Sequence, residues 1–149
     1  MPFKEPFILG PFSVGADGRL SLAREDVSPR FSVRWRGRVV QASLSRGDDG
    51  AGQMRIHAGL GRILSTAAAD SEGRLASITA VRRLPRMVPP HWTVRLSPDH
   101  RSRLETVASV ELPVTVGGLV TELAAFLLEL DPYLDVLDEA HVFPPQSGF

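Results

Sequence analysis

Around Trp35 the chain reads VRWRGRVV, with Arg34, Arg36 and Arg38 at every second position. In an extended strand alternate side chains point to one side, so this spacing gathers three guanidinium groups on one surface. Arginine carries a rigid fork of N–H donors that matches carboxylates and phosphates, so the chemistry on offer is anion recognition rather than bond making. Two other stretches repeat the phase. Met54, Ile56 and Ala58 alternate with Arg55 and His57, and Trp92, Val94 and Leu96 flank Arg95. With Phe31, Val33, Trp35, Val40, Met54, Ile56, Trp92 and Val94 turned to a core, the opposite face of one sheet is expected to hold Arg34, Arg36, Arg38, Arg55, His57 and Arg95. Three occupants suit such a face: plain solvent, an acidic protein (a second copy's acidic C-terminal helix included), or a nucleic acid. Sheet-built nucleic-acid readers add exposed aromatics for base stacking. Here Phe31 and Trp35 fall in the core phase, which disfavours nucleic acid.

Other chemistries find little support. His57, His91, His100 and His141 show neither helical nor alternate-strand pairing, so no local metal motif exists. His141 beside Asp135, Asp138 and Glu139 is the nearest approach to a ligand cluster, and it reads as solvated helix-end charge. His100 follows Asp99 in a turn, and either His100 or His57 is the residue on which an enzyme would have to be centred. Asp and His at a turn also serve its backbone hydrogen bonds, and no Gly-x-Ser-x-Gly elbow occurs. Gly59-Leu60-Gly61 leaves a strand before a helix, but the third glycine of a dinucleotide fingerprint is replaced by Leu64 and no Gly-Lys-Ser/Thr follows. It reads as a bend. The expectation is no catalytic centre, no metal and no cofactor.

The chain has 149 residues and no cysteine, which excludes disulfides, thiol catalysis and thiolate metal sites and suits a reducing compartment. The N-terminus lacks the apolar core of a signal peptide, and the longest apolar run, Leu123–Leu130, is interrupted by Glu129 and is too short to span a bilayer. These features read as a cytoplasmic protein without membrane contact. Net charge is zero, yet all 17 Lys and Arg residues lie at or before Arg103, with nine acids, and eight acids without a single base follow it. The balance is thus +8 against −8. Such polarity suggests that the two parts attract each other or that each recruits a partner. Arginine makes up 16 of the 17 bases, which arginine-biased codons of a GC-rich genome would also produce.

The elements that carry these residues follow from periodicity. Ile8–Val14 and Arg19–Leu22 suit strands around the turn Ala16-Asp17-Gly18. Phe31–Trp35 suits a strand, Arg36-Gly37 a tight turn, and Val40–Leu44 the return. After a polar loop over Arg46–Gly52, Met54–Leu60 suits another strand. Leu75, Ile78, Val81 and Leu84 are spaced for a helix with Asp70 or Ser71 as N-cap and Pro85, followed by Pro89-Pro90, as its stop. A hairpin follows across Ser97-Pro98-Asp99-His100. Val116, Leu119, Val120, Leu123, Phe126, Leu127 and Leu130 form a broad helical stripe. Pro132 either kinks that helix or starts a second one, and Leu134 and Leu137 beyond it either complete the core or meet a partner. Residues 1–11 and 142–149 are expected to be loose or extended.

The fold class is α+β, one domain over residues 1–149: an antiparallel sheet of about five to seven strands with two helices on one face. The order from Phe31 to Ala140 resembles the three-strand, helix, two-strand, helix part of the type III secretion-chaperone-like fold. The chain departs from that fold in lacking a leading helix and from the acidic secretion chaperones in its neutral charge. The missing motifs, the charge polarity and the amphipathic C-terminal helix lead to the expectation of a small non-enzymatic protein-interaction or chaperone-like adaptor, a homodimer included. The alternatives are an anion or nucleic-acid binder using the arginine face and an enzyme centred on His100 or His57.

Overall fold

The turn Arg36-Gly37 sets the architecture. Both residues have positive φ, 51° and 79°. Two such residues make the primed turn whose twist matches antiparallel strands. It joins β4 (Arg30–Trp35) to β5 (Arg38–Arg46), pairing Trp35 with Arg38, Val33 with Val40 and Phe31 with Ala42. A polar loop leads to β6 (Gly52–Arg62), which pairs with β5. The computed structural model describes residues 5, 7–24, 26, 28–63, 71–99 and 101–142. Asp70, His100, the side chain of Ser71 and the tail 143–149 lie outside the described residues, so the expected helix cap and tail are not placed.

Beyond β6 come α1 (Ser71–Met87), β7 (Thr93–Leu96), β8 (Arg101–Val110) and α2 (Val116–Glu139). The sheet order is β4-β5-β6-β8-β7, antiparallel throughout. Ahead of it, β1 (Phe7–Leu9), β2 (Phe12–Val14) and β3 (Leu20–Leu22) form a separate three-stranded antiparallel sheet. The molecule is therefore α+β with two sheets, not one. The stretch expected to run unbroken from Ile8 to Val14 folds back at Gly10-Pro11, where Gly10 has φ 58°, and Phe7–Leu9 is strand rather than loose terminus. Leu20 bridges Val114, which ties the small sheet to the entry of α2.

Alternation in the strands is set by burial. Val40, Ala42, Leu44, Met54, Ile56, Ala58, Leu60 and Leu104 are buried in one cluster with Val81 and Leu84 of α1 and with Phe126, Leu127 and Leu130 of α2. One face of the five-stranded sheet is thus roofed by helix side chains, and the other is not. Gly59-Leu60-Gly61 lies inside β6, where the register to β8 shifts and Gly61 has φ 149°. It is a β-bulge, a local extra residue that bends the strand.

Both helices differ from their sequence outline. Pro85 does not stop α1, which runs two residues further to Met87. So close to the end, its missing N–H forfeits one ladder bond and little else. Leu75 is exposed, and Ser77, Ala80, Val81 and Leu84 form the inner face instead. α2 starts on Thr115, whose hydroxyl accepts the Gly118 N–H at 2.9 Å. It then passes Pro132 without a break. Val116 and Val120, expected in the stripe, are exposed. Leu134 and Leu137, candidates for a partner contact, are 0% exposed and complete the core. At the far end the Val142 N–H reaches the Leu137 carbonyl and the His141 N–H the Asp138 carbonyl, with His141 at φ 62°. That is the left-handed helix stop in which the residue beyond the turn packs back, here the buried Val142. No helix among the described residues is long and apolar enough to cross a membrane.

Candidate functional site

The arginines of VRWRGRVV separate into two groups. Arg38 is 1% exposed and lies on the core face, not the open one. The reason is parity: a two-residue turn pairs Arg38 with Trp35, so it shares a face with Val40 and Ala42. Its Nε donates to the Leu60 carbonyl at 2.7 Å, and Nη1 to the Arg36 carbonyl at 3.2 Å. Its Nη2 donates to Asp138 at 2.7 Å and to the Val142 carbonyl at 3.0 Å. A buried guanidinium survives only when its donors and charge are met this way. Arg36, in the turn itself, leans over α2 as well. It pairs with Asp131 at 3.3 Å, Asp135 at 2.8 Å and Asp138 at 2.8 Å. Burial pulls the Arg36 pKa down, and hydrogen bonds to Asp135, Asp131 and Asp138 outweigh it and hold the pKa above its ordinary value. The Trp35 indole N–H adds a bond to Asp131 at 2.9 Å. Positions 131, 135 and 138 repeat at helical spacing, so one flank of α2 presents all three carboxylates to the hairpin. This latch joins the base-rich and acid-rich parts of the chain.

The open face of the sheet holds the second group. Arg34, Arg55, His57 and Arg95 do share it, and the ladder adds Arg30, Arg103 and Glu105. Register places Arg30, Ser43 and Arg55 in one transverse row across β4, β5 and β6. The adjacent row runs Ser32, Gln41, His57, Glu105, Thr93. Arg95 sits opposite Arg103, outside the first of these rows. A concavity of about 520 Å³ opens between Arg30, Ser32, Gln41, Ser43, Arg55 and His57. Among the described residues no hydrogen bond or ion pair engages the guanidinium of Arg30 or Arg55. Glu105 is the one acid on this face among the described residues, and Arg103 holds it at 3.1 Å.

His57 belongs to that pair. Its Nδ1 lies 2.8 Å from Arg103 Nη2 and 3.2 Å from Glu105 Oε1. A guanidinium only donates, so in the neutral ring Nδ1 accepts from Arg103 and the proton sits on Nε2. That geometry anchors the ring as part of an ionic row. His91 stacks edge-on against Trp92 at 6.3 Å, and His141 is the helix stop described above. Of the acids near His141 in sequence, Asp135 is held by Arg36 and Asp138 by Arg36 and Arg38. Asp99 accepts from the Ser97 hydroxyl and the Arg101 N–H in its turn. The Ser97 bond, helped by the Arg101 N–H and charge, holds the Asp99 pKa below its ordinary value against the opposing effect of burial. His100, the neighbouring catalytic candidate, lies outside the described residues.

Alternation alone could have found Arg30 and Arg103. Arg30 is in phase with Ser32 and Arg34, and Arg103 is out of phase with the buried Leu104 and Thr106. The convergence of Arg30 and Arg55 on Ser43 needs the register of three strands, which no local signal carries. No family model, curated protein or solved structure matches this chain.

Proposed function

We propose that the protein is a non-enzymatic interaction domain, an adaptor of the chaperone-like kind, whose open sheet face receives an acidic segment of another protein. The observation that carries this reading is the concavity lined by Arg30 and Arg55, neither of which has a partner among the described residues. Exposed charges of one sign, left uncompensated on a surface, steer and orient a partner of the other sign. The aromatic ring that lines the concavity, Phe31, is half-buried and packed against the core rather than standing as an open platform for bases, which favours protein over nucleic acid. In a second copy of this chain Asp131, Asp135 and Asp138 are already held by Arg36 and Arg38, which leaves Glu122, Glu129 and Glu139 of its C-terminal helix to supply the acid.

Fluorescence anisotropy tests the reading. Labelled polyglutamate and labelled single-stranded RNA are titrated with wild type and with an Arg30→Ser/Arg55→Ser double variant across a salt series. The peptide should bind wild type with a clear salt slope and lose at least about tenfold in affinity in the variant. Preferential RNA binding, or no peptide binding at low salt, would overturn it.

A further inference from the structure

Resting on the sheet-face reading, we infer that the concavity is a discrete oxyanion pocket and that the group it takes is a phosphate monoester. Neighbouring strands lie about 4.8 Å apart, so Arg30 and Arg55 leave the sheet roughly 10 Å from each other with Ser43 midway between them. The two side chains line one concavity, together with the hydroxyls of Ser32 and Ser43 and the amide of Gln41. A planar carboxylate is satisfied by a single guanidinium fork. A phosphate monoester carries a charge of about −1.5 to −2 and three terminal oxygens, and it draws on donors arriving from several directions. Two forks approaching from opposite sides, over a floor of neutral donors, match the second need better than the first. Among the described residues no Asp or Glu lines the concavity to repel a dianion. Glu105, the acid on the adjacent row, is neutralised by Arg103. The phosphate arrives either on a phosphorylated residue of the docked segment or as a free ester.

Isothermal titration of the full chain separates these sources. The ligands are an acidic peptide containing one phosphoserine, the same peptide with Glu or Ser at that position, and inorganic phosphate. The expected result is that the phosphopeptide binds about tenfold more tightly than the Glu peptide. Arg55→Gln should abolish that advantage, and Arg95→Gln, a charge on the same face outside the pocket, should leave it within about twofold. Equal affinity for the phosphoserine and Glu peptides would overturn the pocket and leave the docking face standing. An equal loss in Arg95→Gln would also overturn it, since only diffuse charge would then be at work. Inorganic phosphate binding that Arg55→Gln removes, with no peptide binding, would support the pocket as a site for free esters and remove the protein partner. Silence from every ligand would overturn both.

Discussion

The hairpin tip and the open sheet face use the same residue type to opposite ends. At the tip, Arg36 and Arg38 meet Asp131, Asp135 and Asp138 of α2, and the Arg38 side chain is almost wholly buried. At the far end of the same hairpin strand, Arg30 lines an open concavity with Arg55 of β6, and among the described residues no carboxylate lines it. What differs is not the arginine but what the fold sets against it. The helix layer roofs one face and its acidic flank reaches the turn, so charges there become internal structure. The other face has no roof, and Arg30 and Arg55 on it stay available to an outside ligand. A count of arginines would miss this difference; the placement of the acids decides it.

Removing one carboxylate from the tip should have the largest effect. Asp138→Ala leaves Arg38 charged and buried, with only carbonyls for company. Stripping one partner from a buried ion pair typically costs about 3–5 kcal/mol, and the partial exposure of Asp138 places the expected loss near the lower end, about 3 kcal/mol by urea denaturation. A loss below about 1 kcal/mol would mean that the latch is ornamental. Arg36→Ala should cost less. Its side chain is 29% exposed, and partly solvated pairs contribute about 1 kcal/mol and weaken as salt screens them. The expected signature is a stability difference from wild type that shrinks between low and high salt. The smallest effect belongs to the open face: Arg30→Ser/Arg55→Ser should unfold within about 0.5 kcal/mol of wild type. A larger loss would place those arginines in the structural group and erase the contrast.

Much of this contrast was legible in the alternation of residues. Arg34, Arg55, His57 and Arg95 lie on the open face as their phase requires. Arg38 does not, although its place was readable: with Val40, Ala42 and Leu44 turned inward, a residue two positions before Val40 must turn inward too. Chemical type argued for solvent, and phase decided otherwise because the acids of α2 were there to meet it. Those acids recur at helical spacing, but nothing local says that they face Trp35 and Arg36 rather than water. Their partners lie 95 to 102 positions away, a purely tertiary fact. The division into two sheets was hidden for another reason. Strands of three residues, such as Phe7–Leu9 and Phe12–Val14, are too short to show a period. Pro132 was ambiguous locally because proline suits both a helix start and a tolerated interior position. The burial of Leu130, Leu134 and Leu137 along one line chose the single helix.

The bond from Arg38 to the Val142 carbonyl spans 104 positions, nearly the whole distance from the first long strand to the last described residue. Synthesis proceeds at roughly 5–20 residues per second, so on the order of 5–20 s separates the two ends of that bond on a ribosome. Throughout that interval the β4–β5 hairpin has its turn but no acidic helix, and the inner face of the sheet lacks the part of its roof that α2 supplies. The nascent chain therefore passes through a stage in which an unmatched guanidinium and bare apolar side chains share one surface. Handling by cellular factors would concentrate in that window, and it would end when the final helix swings in and the aspartates reach the turn.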